Sequence, residues 1–354
     1  MRTSPANEMT AALNRVVADV ARSEAGPPAV DQPQPQPSEP SLIASSAEAF
    51  GDLANPYRRE LLVHCYRMLG SIDDAEDAVQ DAFVRAWDGR STFQRAISFR
   101  AWLYRIATNA CLDAIERRKR GPGRAEPFGV GPFPEDDDAA DEPEAGPEAR
   151  YDAHESISLA FTTVLQRLPP RQRAVLILRD VLSWHAVEVA GLLDLSVPAV
   201  NSTLHRARAT MSRQYRPATG SAGHPPVLAP GSLRSLLDRY VRAWEAADIP
   251  GLIALLRDDA VLAMPPGLAF AGHDAIAAFL AESIFVEGRQ IRLIAVRANG
   301  GPAFAAYARP GPAGPLHRFA VLLLEIGEGG VTRIDAFRER DLIPRFGLPE
   351  ELTG

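Results

Sequence analysis

Only two cysteines, Cys65 and Cys111, occur in the 354 residues, and neither stands in a CxxC pair or beside a histidine cluster. That excludes a disulfide framework and a thiolate zinc site, and no metal or other cofactor is expected. Long hydrophobic runs are missing too: the longest, such as Ala320 to Leu324, are strand-length, far below the ~18 apolar residues of a membrane helix. No membrane partner is expected. The opening residues carry Arg2, Glu8, Arg15, Asp19 and Arg22 without a continuous apolar core. They do not read as a secretory signal, and the expected location is the cytoplasm. Lysine is nearly absent, Lys119 being the only one among 38 basic residues; the bias fits a GC-rich genome and carries no functional weight.

A positive net charge is also lacking. The total of −7 argues against nucleic acid until it is divided along the chain. Residues 1–56 hold 3 basic and 7 acidic side chains, 57–120 hold 12 and 9, 121–149 hold 1 and 9, 150–216 hold 9 and 5, and 217–354 hold 13 and 15. The two segments richest in helix signals are therefore basic, and the acidity lies mainly in one linker and one tail. At 46% hydrophobic and 23% charged the composition is that of a globular protein, and the length suggests two or three domains.

Prolines and glycines mark the divisions. Residues 1–50 contain Asp31-Gln-Pro-Gln-Pro-Gln-Pro37 and read as a disordered, polar extension. Residues 121–149 combine Gly121-Pro122-Gly123 with Glu135-Asp-Asp-Asp138, a linker composition able to span on the order of 100 Å when stretched. A second linker covers 217–230. Folded segments are expected over 51–120, 150–216 and 231–350.

In the first, Leu61, Leu62, Cys65, Met68 and Leu69 recur at helical spacing up to Gly70. Ser71 then caps a helix with Ala75, Val79, Ala82, Phe83, Ala86 and Trp87 on one face and Asp74, Asp77, Asp81 and Arg85 on another. A third helix from about Ser98 gathers Phe99, Trp102 and Tyr104 near its start and ends in Arg117-Arg118-Lys119-Arg120. Acids at a helix start and bases at its end are also what the macrodipole favours. Aromatics together with Arg100 and Arg105, however, suit stacking on unpaired bases while the basic end neutralises phosphates.

In the second segment a helix ending at Pro169-Pro170 and another from Arg171 precede two short helices, His185 to Leu193 and Ser196 to Arg213, joined at Asp194-Leu195. Val200, Leu204, Ala207 and Met211 form the buried stripe of the last. Asn201, Ser202, His205, Arg206 and Arg208 point away from it, and no acid occurs from Ser196 to Arg216. This is the spacing of a helix-turn-helix, whose second helix reads the major groove.

Four runs in this order, Asp73 to Trp87, Phe99 to Asp113, Leu168-Pro-Pro-Arg-Gln-Arg-Ala-Val-Leu176 and Leu204-His-Arg-Ala-Arg208, resemble regions 2 and 4 of the sigma-70 family, in its extracytoplasmic-function type. The resemblance implies two all-α domains and two partners, core RNA polymerase and promoter DNA. By position, Asp74, Asp77, Gln80, Asp81 and Arg85 would contact the polymerase. Phe99, Arg100, Trp102, Tyr104, Arg105, Asn109, Asp113, Arg117 and Arg118 would take the −10 element, and Ser196, Pro198, Ala199, Asn201, Ser202, His205, Arg206 and Arg208 the −35 element. Members commonly carry basic residues where this chain has Asn201 and Thr203, which shifts weight to Arg206, Arg208 and Arg213. The acidic linker would suit basic polymerase channels, or serve as a solvated spacer.

The third segment changes pattern. An amphipathic helix with Leu233, Leu236, Leu237, Tyr240, Val241 and Trp244 is followed by a helix near Asp274 to Phe285. Strand-like runs come at Ile291–Ala298, Ala303–Ala308, His317–Ile326 and Val331–Phe337. Helices before strands indicate α+β. With Asp258 to Pro266 and Gly272 to Leu280 the segment is similar to the SnoaL-like group of the nuclear transport factor 2-like superfamily, which implies a cone-shaped domain. Trp244, Met264, Phe304, Tyr307, Phe319 and Asp335 would line its pocket, with a small-molecule ligand as a further partner, and Asp335, His273 and His317 would be the acid–base candidates. No paired acid and base stands at a diagnostic spacing, so the expectation is a regulatory domain on a non-enzymatic initiation factor. A stand-alone helix-turn-helix regulator and a bifunctional cyclase-like enzyme are the alternatives.

Overall fold

A computed structural model describes residues 46–93, 98–120, 130–135, 158–214, 230–265, 267–286, 288–311, 313–338 and 342–353. The N-terminal extension up to residue 45, most of the acidic linker and the second linker up to residue 229 lie outside them. The chain divides into two compact units: residues 1–130 with 145–215, and residues 131–144 with 216–354. The two basic helical segments thus share one unit. Part of the acidic segment belongs to the other, where its composition suggested a spacer.

The first unit is helical. Helix α1 (Ala47–Ala54) leads through a 3-10 turn into α2 (Arg58–Leu69), which ends at Gly70 in the left-handed region, φ +81°. Helix α3 (Ile72–Asp88) starts at Ser71, whose hydroxyl accepts from the Asp74 N–H at 3.3 Å. The stripe Ile72, Ala75, Ala78, Val79, Ala82 and Ala86 is buried, and small side chains let α2 and α4 (Phe99–Arg120) approach closely. After residue 157 come α5 (Leu159–Gln166) and α6 (Pro170–Leu176), which runs on as a π-helical turn, Ile177–Val181. Then follow α7 (Ala186–Leu193) and α8 (Val197–Gln214). Asp194 bridges these last two at φ +52°, a conformation Asp tolerates better than most residues. Val200, Leu204, Ala207 and Met211 are buried, as the helical period predicts.

The halves of this unit are joined by a polar lock. Arg173 of α6 is 4% exposed and donates to Met68 O, Gln166 Oε1, Gln166 O (2.9 Å) and Leu168 O (3.2 Å). Gln166 Nε2 in turn donates to Arg67 O at 3.1 Å. The last carbonyls of α2, which a helix leaves without intrahelical partners, are thus capped by side chains about a hundred residues away in sequence. Burial pulls Arg173 down to about 10, so it stays charged at neutral pH.

The second unit is a curved seven-stranded sheet with helices α9 (Pro230–Glu245), α10 (Ile249–Ile253) and α11 (His273–Phe279). The strands are β1 (Leu256–Met264), β2 (Leu268–Ala271), β3 (Gln290–Ala298), β4 (Gly301–Arg309), β5 (Leu316–Gly327), β6 (Gly330–Phe337) and β7 (Glu351–Leu352). Their order is β2-β1-β6-β5-β4-β3, with β7 on β5. The four strands expected from alternation are present. β1 and β2 add to them, and β1 pairs with β6 in parallel, so the sheet is not wholly antiparallel. One sheet face buries Leu262, Ile334, Leu322, Phe304 and Leu293 with Tyr240 and Trp244 of α9. At the β5–β6 turn Gly330 is required: at φ +144° a Cβ would stand 2.5 Å from Leu255 O.

Candidate polymerase and nucleic-acid interfaces

The exposed side of α3 carries Asp77 and Gln80 fully outward, with Asp74, Asp81 and Arg85 half-buried. Asp74, Asp77, Asp81 and Arg85, with Ala78, form one wall of a groove of about 500 Å³ whose other wall is α4, with Ala114, Arg117 and Arg118; Gln80 lies outside it. Two ion pairs cross it, Arg118 to Asp74 at 3.6 Å and Arg85 to Asp113 at 2.6 Å, and Arg85 also pairs along α3 with Asp81 at 2.8 Å. Partial burial raises the Asp74 carboxyl, partly offset by the Ser71 hydroxyl and Arg118. Each pair is solvent-exposed by more than a third and stabilises by at most about 1 kcal/mol, so a partner surface can replace it. Val84, 55% exposed, lies one turn from Gln80 and offers an apolar contact amid polar neighbours. Sequence reasoning assigned it no role; its place on the outward stripe was the available signal.

The −10 candidates on α4 separate into two groups. Phe99, Trp102 and Tyr104 are 1%, 6% and 1% exposed. Phe99 meets Phe50, Tyr57, Phe93 and Trp102 at centroid distances of 5.8–6.1 Å, and Tyr104 lies 5.2 Å from Trp184. In this state they are core, not exposed stacking platforms. Exposing one would forfeit roughly 1.5–3 kcal/mol of burial, about what a stacked base returns. Among the rest, Arg100 is bound bidentately by Glu60, Nε donating to Oε1 at 3.0 Å and the terminal nitrogen to Oε2 at 2.8 Å, and Arg105 pairs with Asp194 at 3.3 Å. Asn109, Asp113, Arg117 and Arg118 are exposed, and the four-residue steps from Arg105 through Asn109 and Asp113 to Arg117 make one continuous stripe.

On α8, the Ser196 hydroxyl accepts from the Ala199 N–H at 3.3 Å and fixes the helix start. Ser196, Pro198, Asn201, Ser202, His205 and Arg206 are exposed and Ala199 is half-buried. Arg208 is different: its guanidinium grips Asp180 of the π-helical turn at 2.8 and 2.6 Å, and Asp180 is 2% exposed. Arg208 therefore braces the recognition helix rather than standing free for bases.

Of the six pocket candidates in the second unit, Trp244, Met264 and Phe319 line a small apolar cavity beside Leu262, Ile334 and Arg338. Its free volume is about 20 Å³, room for roughly one water. Phe304 stacks on Tyr240 at 5.5 Å within the core. Tyr307 and Asp335 are turned to the other sheet face, since their neighbours Ala306 on β4 and Ile334 and Ala336 on β6 line the cavity. The Tyr307 hydroxyl donates to Pro349 O at 2.6 Å, and Arg333 holds Asp335 through two 2.8 Å contacts. His273 faces Leu256 O (3.2 Å) and His317 pairs with Glu351 (3.2 Å). No carboxylate or imidazole lines the cavity among the described residues. No group of side chains there could hold a metal ion, and no helix is long and apolar enough to cross a membrane.

A helix bearing a polar docking face, a second helix with a basic end and a helix-turn-helix define a promoter-recognition factor, extended here by a cone-shaped sheet domain. Residues 53–121 match the Sigma-70 region 2 model, 158–211 the Sigma-70 region 4 model and 237–333 the SnoaL-like domain model. The chain is 39% identical to the ECF RNA polymerase sigma factor SigG of Mycobacterium tuberculosis over 384 residues, covering 99% of this chain and all of the relative. It is 33% identical to SigW of Bacillus subtilis over 48% of this chain and 90% of that one. The crystal structure of the M. tuberculosis sigma factor SigJ shares the fold, with a TM-score of 0.55 at 23% identity over 82% of this chain and 96% of that one. The chain belongs to the extracytoplasmic-function family of RNA polymerase sigma factors.

Proposed function

We propose that the outward face of α3, with Asp74, Asp77, Gln80, Asp81 and Arg85, binds core RNA polymerase. The stripe Arg105, Asn109, Asp113, Arg117 and Arg118 of α4 takes the melted −10 strand, and the start of α8 reads the −35 duplex through Asn201, Ser202, His205 and Arg206. The protein directs promoter-specific initiation, and its partners are the polymerase and promoter DNA. It works in the cytoplasm and catalyses no reaction of its own. The observation that carries this reading is the pairing, in one unit, of a polar polymerase-type helix with a basic-ended helix and an acid-free recognition helix.

The C-terminal unit regulates this activity. Its cavity is nearly filled and lined by apolar groups plus one arginine, which supports a non-catalytic domain over a cyclase-like enzyme: proton abstraction needs a base within hydrogen-bond reach of the substrate. Run-off transcription with purified core polymerase tests the reading. A promoter-specific start is expected from the full-length chain, and a changed yield from a chain cut after Arg216. No specific product from either form would overturn it.

A further inference from the structure

Residues 131–135 lie inside the acidic segment whose composition reads as a free linker, yet they are built into the C-terminal unit. Pro134 forms an antiparallel bridge with Ala298 at the end of β3. Beside it, the Phe133 N–H donates to Asn299 Oδ1 at 2.7 Å and the Asn299 N–H returns a bond to Phe133 O at 3.1 Å. The Glu135 N–H donates to Arg297 O at 3.2 Å. The Glu135 carboxylate accepts from the Gly300 N–H and lies 3.5 Å from Arg297 Nε, its side chain only 6% exposed. Asn299 is buried at φ +53°, and a carboxylate meeting both an N–H and a guanidinium is a charge-assisted contact. The docking segment is preshaped as well: Pro132 and Pro134 flank Phe133, and fixed proline φ angles keep such a stretch extended, so little freedom is lost on docking.

We propose that the β3–β4 turn is a receptor for the Gly131–Glu135 segment, and that this clip holds the linker on the C-terminal unit and so withholds its acidic run from a basic partner surface. The proposal rests on the sigma-factor reading and adds the means of regulation. The contacts made roughly balance the ordering of five residues, so the clip is reversible. A basic partner surface able to attract Glu135 and the following Asp136-Asp-Asp138 can open it.

Hydrogen exchange on the full-length chain and run-off transcription at limiting core polymerase test this together. Asn299→Gly keeps the left-handed turn accessible but removes the side-chain acceptor. Glu135→Ala acts from the linker side and leaves the sheet intact. Both are expected to speed exchange at the Phe133 and Glu135 amides at least tenfold with no change in the C-terminal unit's Tm, and to raise transcript yield several-fold. Unprotected amides in the wild type would overturn the clip, and so would wild-type yield from variants whose amides exchange freely. Absence of specific transcript from every form would instead overturn the sigma-factor reading, while the exchange data still decide whether the clip exists.

Discussion

His64 is fully buried on α2, with Nε2 2.9 Å from Thr108 Oγ1. The Thr108 hydroxyl donates its proton to Tyr104 O at 2.7 Å, so Nε2 is the donor, and the buried Nδ1 has no acceptor for a second proton. Burial first, and the Arg67 charge second, lower its pKa to about 3 from 6.5. The imidazole contribution is fully present above pH 6.5 and is lost as pH falls from there toward 3, because the unfolded chain takes up a proton that the native one refuses. The helical unit should lose about 1.4 kcal/mol between pH 7.5 and 5.5 from this group alone. Urea titrations at both values check it, and His64→Gln should flatten the difference. Arg208 supplies a second residue-level prediction. Arg208→Ala leaves the buried Asp180 carboxylate unpaired and should cost roughly 2–4 kcal/mol of stability, the lower end of a broken buried pair because the guanidinium is 39% exposed. Arg206→Ala should leave thermal unfolding unchanged and lower the slope of log K against log salt for −35 duplex binding by about one.

Helix ends carry the next level. Gly70 closes α2 at φ +81°, and a Cβ there would meet the Gln166 side chain at 3.1 Å, the same side chain that caps Arg67 O. Gly70→Ala therefore strains the backbone and displaces the lock between the halves, with an expected loss of about 1–3 kcal/mol; a shifted urea midpoint reads it. Elements such as α3, α4 and the α7–α8 pair were legible in the sequence because period, caps and breakers agreed. The strands β3 to β6 were legible from alternation between turns. β1 was not: it begins Leu256-Arg-Asp-Asp, and its parallel partner β6 lies some seventy residues on. The site was legible as helices and faces but not as contacts. A helical period cannot tell aromatics that face bases from aromatics that face Phe50 and Trp184, nor show that Arg208 is engaged by Asp180 or that Gln166 and Arg173 finish another helix.

At the scale of the whole molecule, the net charge of −7 conceals two basic DNA-facing elements in one compact unit, and their present proximity is itself a constraint. Arg105 on α4 and Asp194 at the helix-turn-helix bend are 3.3 Å apart, and Tyr104 and Trp184 lie 5.2 Å apart. Promoter elements centred about 25 base pairs apart stand about 85 Å apart along duplex DNA at 3.4 Å per step. The arrangement that holds α4 against α7 therefore cannot serve both elements at once, and initiation must part them. Replacing the ion pair by Arg105→Cys with Asp194→Cys places two exposed thiols on either side of the gap the arginine spans, for bridging by a short bis-methanethiosulfonate reagent that forms a mixed disulfide with each thiol and expels sulfinate, while the native Cys65 and Cys111 are buried and stay out of the exchange. Cross-linking of the free protein should trap the closed unit and reduce run-off product at least tenfold, and added reductant should restore it. The reduced double variant controls for loss of the Arg105 contact. Undiminished transcription from the cross-linked form would mean that the two promoter-binding regions work without separating.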